Sequence, residues 1–139
     1  MYLTSELNFN NADNAIKGEI YLPSIMNDKK IPMVVLLNDS SDRLLNVKSF
    51  ADKVANTGYS VYTYNSKESE IANDATKNEE LDVNKYLEFS TVLEEVLRLP
   101  FIDENSIFVA LYAENEIKVY KYEENGKLCH NFATSLPFL

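Results

Sequence analysis

The sequence predicts an α/β domain of three layers, α/β/α, around a mostly parallel sheet begun by an antiparallel hairpin. Three observations carry this. Two alternating segments near the N-terminus flank a turn, later apolar runs lack the polar alternation of a half-exposed strand, and segments with apolar residues three and four apart fall between those runs. The length of 139 residues, with 45% hydrophobic and 25% charged, suits one domain over residues 1–139 with a single core, and argues against disorder or a disulfide scaffold.

The elements follow in order. Residues 2–10 place Leu3, Leu7 and Phe9 among polar neighbours, and the Asn-rich stretch 10–14 supplies turn chemistry. Residues 15–22 put Ile16, Ile20 and Leu22 at even spacing before Pro23, giving a second strand hairpin-paired with the first. Residues 31–37 are almost continuously apolar, as in a strand buried on both faces. Leu44, Val47, Phe50, Ala51 and Val54 then mark a one-sided helix, with Gly58 placed for a left-handed C-terminal cap. A β-branched and aromatic strand at 59–64 leads into a polar stretch, 65–80, read as a mobile loop.

Residues 81–99 carry Leu81, Tyr86, Phe89, Val92, Leu93, Val96 and Leu97 at helical spacing before Pro100, and 107–111 form another buried strand. The last segment has two readings. Residues 114–125 can be a helix capped by Gly126 and followed by a strand at 127–134, or 117–122 and 128–132 can flank an Asn125-Gly126 hairpin turn. The need for a crossover between parallel strands favours the helix.

Thirteen Lys and Arg against 22 Asp and Glu give a net charge of −9, a field that repels phosphate backbones and anionic lipid, so neither nucleic acid nor a membrane is expected as a partner. No segment approaches a membrane span or a secretory signal, and Cys129 is the only cysteine; a reducing cytoplasm is the expected compartment, with no cofactor and no metal site.

Residues 16–23 (Ile-Lys-Gly-Glu-Ile-Tyr-Leu-Pro) and 31–37 (Ile-Pro-Met-Val-Val-Leu-Leu) resemble the second and third strands of the α/β-hydrolase family. Residues 99–110, Leu-Pro-Phe-Ile-Asp-Glu-Asn-Ser-Ile-Phe-Val-Ala, are similar to the helix-loop-strand before the nucleophile in its dipeptidyl-peptidase-like and dienelactone-hydrolase-like members. The register runs from about Ile16 to Glu116. The resemblance implies that the G-x-S-x-G nucleophile elbow falls on Leu111, Tyr112, Ala113, Glu114 and Asn115, with Ala113 in the place of the serine and both glycines replaced. An alanine has no atom that can attack a carbonyl. The family's His-Gly oxyanion loop corresponds to Asn38-Asp39, where a carboxylate would repel a developing oxyanion.

Measured against the family, the sequence also stops before the later strands that carry the acid and histidine, and His130 matches neither. A shortened, inactive hydrolase-like protein acting through binding or assembly is therefore expected. Its last strand is expected to be an exposed edge available for homo-oligomerisation, and Asn38, Asp39, Tyr64 and Tyr112 are expected to line a small-molecule pocket at the carboxyl ends of the strands.

Other constellations have plainer readings. Cys129 and His130, adjacent in a strand, point to opposite faces and do not form a dyad. Ser40 and Ser41 between Asp39 and Asp42 could offer a nucleophile or cation ligands, but helix capping explains them. Glu114, Glu116, Glu123 and Glu124 read as a solvated face. Tyr59, Tyr62, Tyr64, Tyr112, Tyr120 and Tyr122 fill a sheet, with Tyr64 and Tyr112 at strand ends where ligands bind. A weak esterase or peptidase using Ser40 or Ser41 is the alternative function.

Overall fold

A computed structural model describes residues 2–11, 14–24, 29–38, 47–113, 116–123 and 126–130. The strands are β1 (Tyr2–Glu6), β2 (Phe9–Asn11), β3 (Asn14–Ile16), β4 (Gly18–Pro23), β5 (Ile31–Asn38), β6 (Ser60–Asn65), β7 (Glu80–Asp82), β8 (Ile102–Ala113), β9 (Glu116–Glu123) and β10 (Lys127–Cys129). The helices are α1 (Val47–Asn56), α2 (Glu70–Lys77) and α3 (Leu87–Leu97). Eight strands form one sheet in the order β1-β4-β6-β5-β8-β9-β10-β7. Strands β6, β5 and β8 run parallel at its centre, and the flanking pairs are antiparallel. The α/β class and the antiparallel start hold.

The predicted N-terminal hairpin is one long ribbon with a bend. Its inner half pairs β1 with β4, and its outer half pairs β2 with β3. At the bend the Gly18 N–H donates to Asn8 Oδ1 at 3.2 Å, the Leu7 N–H donates to the Gly18 carbonyl at 2.9 Å, and the Tyr62 hydroxyl donates to the Leu7 carbonyl at 2.9 Å. Gly18 is needed because an added Cβ would lie 2.2 Å from the Tyr62 hydroxyl and 2.7 Å from the Thr63 carbonyl. The outer half thereby folds Phe9 and Ile16 onto the core.

Two apolar clusters cover the two faces. Tyr21, Val34, Leu36, Val61, Ala110 and Val119 pack with α1 through Phe50, Ala51, Val54 and Ala55. Met33, Val35, Leu37, Tyr62, Val109 and Tyr120 face α2 and α3 through Ile71, Ala75, Phe89, Val92 and Val96. This is the three-layer arrangement, and the continuous burial of Met33 to Leu37 is what an apolar strand between two helix layers requires. Gly58 has φ +97°, as a left-handed cap demands.

Four expectations are corrected. The stretch 65–80, read as a mobile loop, contains α2, which buries Ile71 and Ala75 four residues apart. The helix expected from Leu81 begins only at Leu87; Leu81 lies on β7 and Val83–Lys85 form a 3-10 turn, started where Asp82 Oδ1 accepts the Asn84 N–H at 2.9 Å. The helix favoured after residue 113 is instead strand β9, antiparallel to β8 from Ala113↔Glu116 to Phe108↔Lys121. Its alternation of Ile117 and Val119 toward one face with Lys118 and Tyr120 toward the other has the strand period, and this outweighs the crossover argument. Finally, β10 is not an edge. It lies between β9 and β7, so the sheet ends at β1 and β7, and the premise for association through the last strand fails. Residues 131–139, including Leu136 to Leu139, lie outside the described residues.

Candidate functional site

In an open α/β sheet, ligands bind outside the carboxyl ends of the parallel strands, where successive crossovers leave in opposite directions. Here α1 follows β5 on one face, while α2 and α3 precede β8 on the other, so the switch point lies between β5 and β8. The strands end there at Asn38 and Ala113. Leu111 is buried in the core on the α3 side. Beyond Ala113 the chain turns back to pair Glu116 with it, a strand-turn-strand path where an elbow is strand-turn-helix. Glu114, Asn115, Asp39, Ser40, Ser41 and Asp42 lie outside the described residues, as do the side chains of Tyr112 and Ala113.

The open space lies next to this point, toward β4. A cleft of about 350 Å³ is lined by Lys17, Gly18, Glu19, Tyr21, Asn38, Lys48, Thr63, Tyr64 and Asn65. It thus brings together two of the four expected pocket residues, Asn38 and Tyr64. Asn38 and Asn65 are register partners at the ends of β5 and β6, and Lys48 comes from the first turn of α1. A second cleft of about 470 Å³ adjoins across the ribbon bend, sharing Lys17, Gly18, Glu19 and Asn65 and adding Thr4, Ser5, Glu6 and Asn8. The lining is polar, with amides, hydroxyls and charges of both signs. Sequence reading missed Glu6, Lys17, Glu19, Lys48, Thr63 and Asn65; the signal was the even spacing of Lys17 and Glu19 on the polar face of a strand whose alternate residues, Ile16 and Ile20, are core.

On the α3 side, Tyr64 closes the end of the core. Among the described residues, its buried hydroxyl has no hydrogen bond of ordinary length. Burial, then the Glu88 and Glu68 carboxylates, hold its phenol well above the usual range, so it is a neutral hydroxyl. Glu68 accepts the N–H groups of Phe89 at 2.9 Å and Glu88 at 3.2 Å, capping α3 from outside, while Glu88 accepts the Lys67 N–H at 3.1 Å. Burial raises the Glu68 carboxyl despite those bonds.

Cys129 and His130 engage separate partners. The thiol lies 3.8 Å from Glu80 Oε1, and desolvation with the Glu80 and Glu123 charges pushes its pKa up, away from a nucleophilic thiolate. His130 Nδ1 lies 2.7 Å from the Val119 carbonyl, a contact in which the ring nitrogen donates, and Nε2 is 3.9 Å from Glu79. Among the described residues no group of three His, Cys, Asp or Glu side chains is placed to hold a metal ion, and no helix is long and apolar enough to cross a membrane.

No known family profile and no curated protein sequence matches the chain. Solved structures do. A protein from Bacteroides ovatus described as a dipeptidyl aminopeptidase IV aligns with TM-score 0.57 at 18% identity, over 78% of this chain and 17% of its own. The acylaminoacyl peptidase of Pyrococcus horikoshii aligns with TM-score 0.54 at 18% identity, over 82% of this chain and 20% of its own. A hypothetical protein from Pseudomonas aeruginosa aligns with TM-score 0.55 at 14% identity, over 78% and 34%. The fold is of the α/β-hydrolase type, and the chain spans about a third or less of these neighbours' lengths.

Proposed function

We propose that this hydrolase-type domain is catalytically inactive and acts by binding a small polar ligand in the clefts beside Asn38 and Asn65. The observation that carries the reading is the Ala113↔Glu116 pairing. Hydrolysis on this fold needs a side chain held above the switch point by a sharp strand-to-helix turn, facing donors for the oxyanion. The residue aligned with that place is an alanine, and from Glu116 onward the backbone is a strand paired with β8. Two further features support it: the sheet's His130 is committed to a backbone carbonyl, and the Cys129 thiol is disfavoured as a thiolate. Fold alone does not fix function, so the reading rests on these residues rather than on the peptidase neighbours.

Hydrolysis of p-nitrophenyl acetate tests the proposal. The chain, and equally Ala113→Ser, is expected to leave the rate at that of buffer, because a strand from Glu116 replaces the helix of an elbow and His130, the one histidine of the sequence, is held at the Val119 carbonyl. Saturable turnover that disappears on Ser41→Ala would reverse the assignment in favour of an esterase with a displaced nucleophile.

A further inference from the structure

The two adjoining clefts gather charges of both signs. Lys17, Glu19 and Lys48 line the first, and Glu6, Lys17 and Glu19 the second, so the combined groove runs from an ammonium at Lys48 to a carboxylate at Glu6. Ion pairs among the described residues join Arg98 to Glu95, and Glu79 to Lys118 and His130; none includes these four groups. Glu6 and Glu19 are direct partners across the antiparallel β1–β4 pair, an arrangement in which like charges repel. Each is oriented by one neutral donor. Asn8 Nδ2 donates to Glu6 Oε1 at 2.8 Å, and the Tyr21 hydroxyl donates to Glu19 Oε2 at 3.2 Å. The remaining oxygen of each has no partner among the described residues.

A cation seated between Glu6 and Glu19 would remove their repulsion, and an anion could be held by Lys17 and Lys48, which line the same cleft. Between Lys48 and Glu6 lie Lys17, Glu19 and the Asn65 amide, shared by both clefts, with the neutral Asn38 and Thr63 in the first. We infer that the groove binds a zwitterionic small molecule of the amino-acid class, its ammonium at Glu6 and Glu19 and its carboxylate at Lys48 and Lys17. This rests on the binding reading above and deepens it by naming the ligand chemistry. A plain anion would use only the two lysines and a plain amine only the two glutamates, whereas a zwitterion engages both pairs without adding net charge to a chain that carries −9.

The test is calorimetric titration with four probes: L-serine, serinamide, which keeps only the ammonium, N-acetylserine, which keeps only the carboxylate, and inorganic phosphate. Serine is expected to bind at least about ten-fold tighter than each of the others, the size of one lost charge-assisted contact. Lys48→Gln should erase the preference for serine over serinamide, and Glu6→Gln the preference over N-acetylserine. Equal or tighter binding of serinamide, N-acetylserine or phosphate overturns the inference while leaving a binding function in place, and no heat with any probe overturns it as well. Turnover in the ester assay would instead strike the reading beneath it.

Discussion

The two sides of β8 are built from the same kind of backbone but held by different chemistry. Toward β5 the pairing is parallel, and Met33 to Leu37 lie between helix layers with apolar contact on both faces. Toward β9 the pairing is antiparallel, and a buried polar clasp joins the sheet to the end of α2. Lys118 Nζ donates to the Ala75 carbonyl at 2.8 Å and the Asn78 carbonyl at 3.2 Å, and lies 3.5 Å from Glu79 Oε1. The Tyr120 hydroxyl donates to the Asn78 carbonyl at 3.1 Å, and the Lys118 ammonium sits 5.6 Å from the Tyr120 ring centre. The lysine and tyrosine thus satisfy carbonyls that a helix C-terminus leaves open. A buried lysine therefore belongs to the core on this side, held by carbonyls rather than by apolar contact.

Substitutions on each side should separate the two modes. Leu36→Ala, at a site with no solvent exposure between β5 and α1, should cost about 2–5 kcal/mol in chemical denaturation, since the helix layer cannot collapse into the void. Lys118→Met keeps the volume and removes the donors, and should cost about 1.5–3 kcal/mol; a loss near zero would show that packing alone holds the antiparallel end. Gly18→Ala brings a methyl group against the Tyr62 hydroxyl and the Thr63 carbonyl, and should cost about 1–3 kcal/mol through overpacking at the ribbon bend.

The Glu68 cap gives a smaller effect with a pH signature. Glu68→Ala leaves two α3 N–H groups without their acceptor, at about 0.5–2 kcal/mol. Because burial raises the folded carboxyl above its ordinary 4.5, the folded state binds the proton more tightly. The stabilisation linked to that proton is complete below the unfolded value and fades as pH rises through the folded one. Relative to Glu68→Gln, the native chain should therefore lose stability as pH climbs from about 4.5, read by denaturation at a series of pH values. A difference that grows with pH would mean that the bonds to Glu88 and Phe89 outweigh desolvation. Least of all should matter Leu87→Gln, 70% exposed on α3, expected within about 0.5 kcal/mol of the native chain.

How much of this was legible follows the same division. The paired N-terminal strands, the apolar run at 31–37, the helix closed by Gly58 and the strand before Asn65 each carry a local pattern that burial then reinforces, and all lie where their periodicity places them. The helix at Glu70–Lys77 was hidden because only Ile71 and Ala75 of its eight residues are core, too few to rise above polar neighbours. In β9 the alternation of Ile117, Val119 and their neighbours was visible, but it competed with an expectation of crossover topology. The Asn125-Gly126 turn pointed correctly to the hairpin, and Gly126 has φ +78°. Of the site, Asn38 and Tyr64 were legible from strand ends. The charged groove was not, because it is assembled from β1, β4, β5, β6 and α1 beside a bend held by Asn8, Gly18 and the Tyr62 hydroxyl, residues far apart in sequence.

The path of the chain after Ala113 decides the account, and nuclear Overhauser contacts across β8 and β9 measure it directly. Cross-strand backbone contacts linking Ala110 with Val119 and Phe108 with Lys121 are predicted, with sequential Hα–HN contacts of extended chain through residues 116–123. Helical contacts three residues apart over that segment, with none to β8, would restore the strand-turn-helix geometry and contradict the inactive, ligand-binding domain described above.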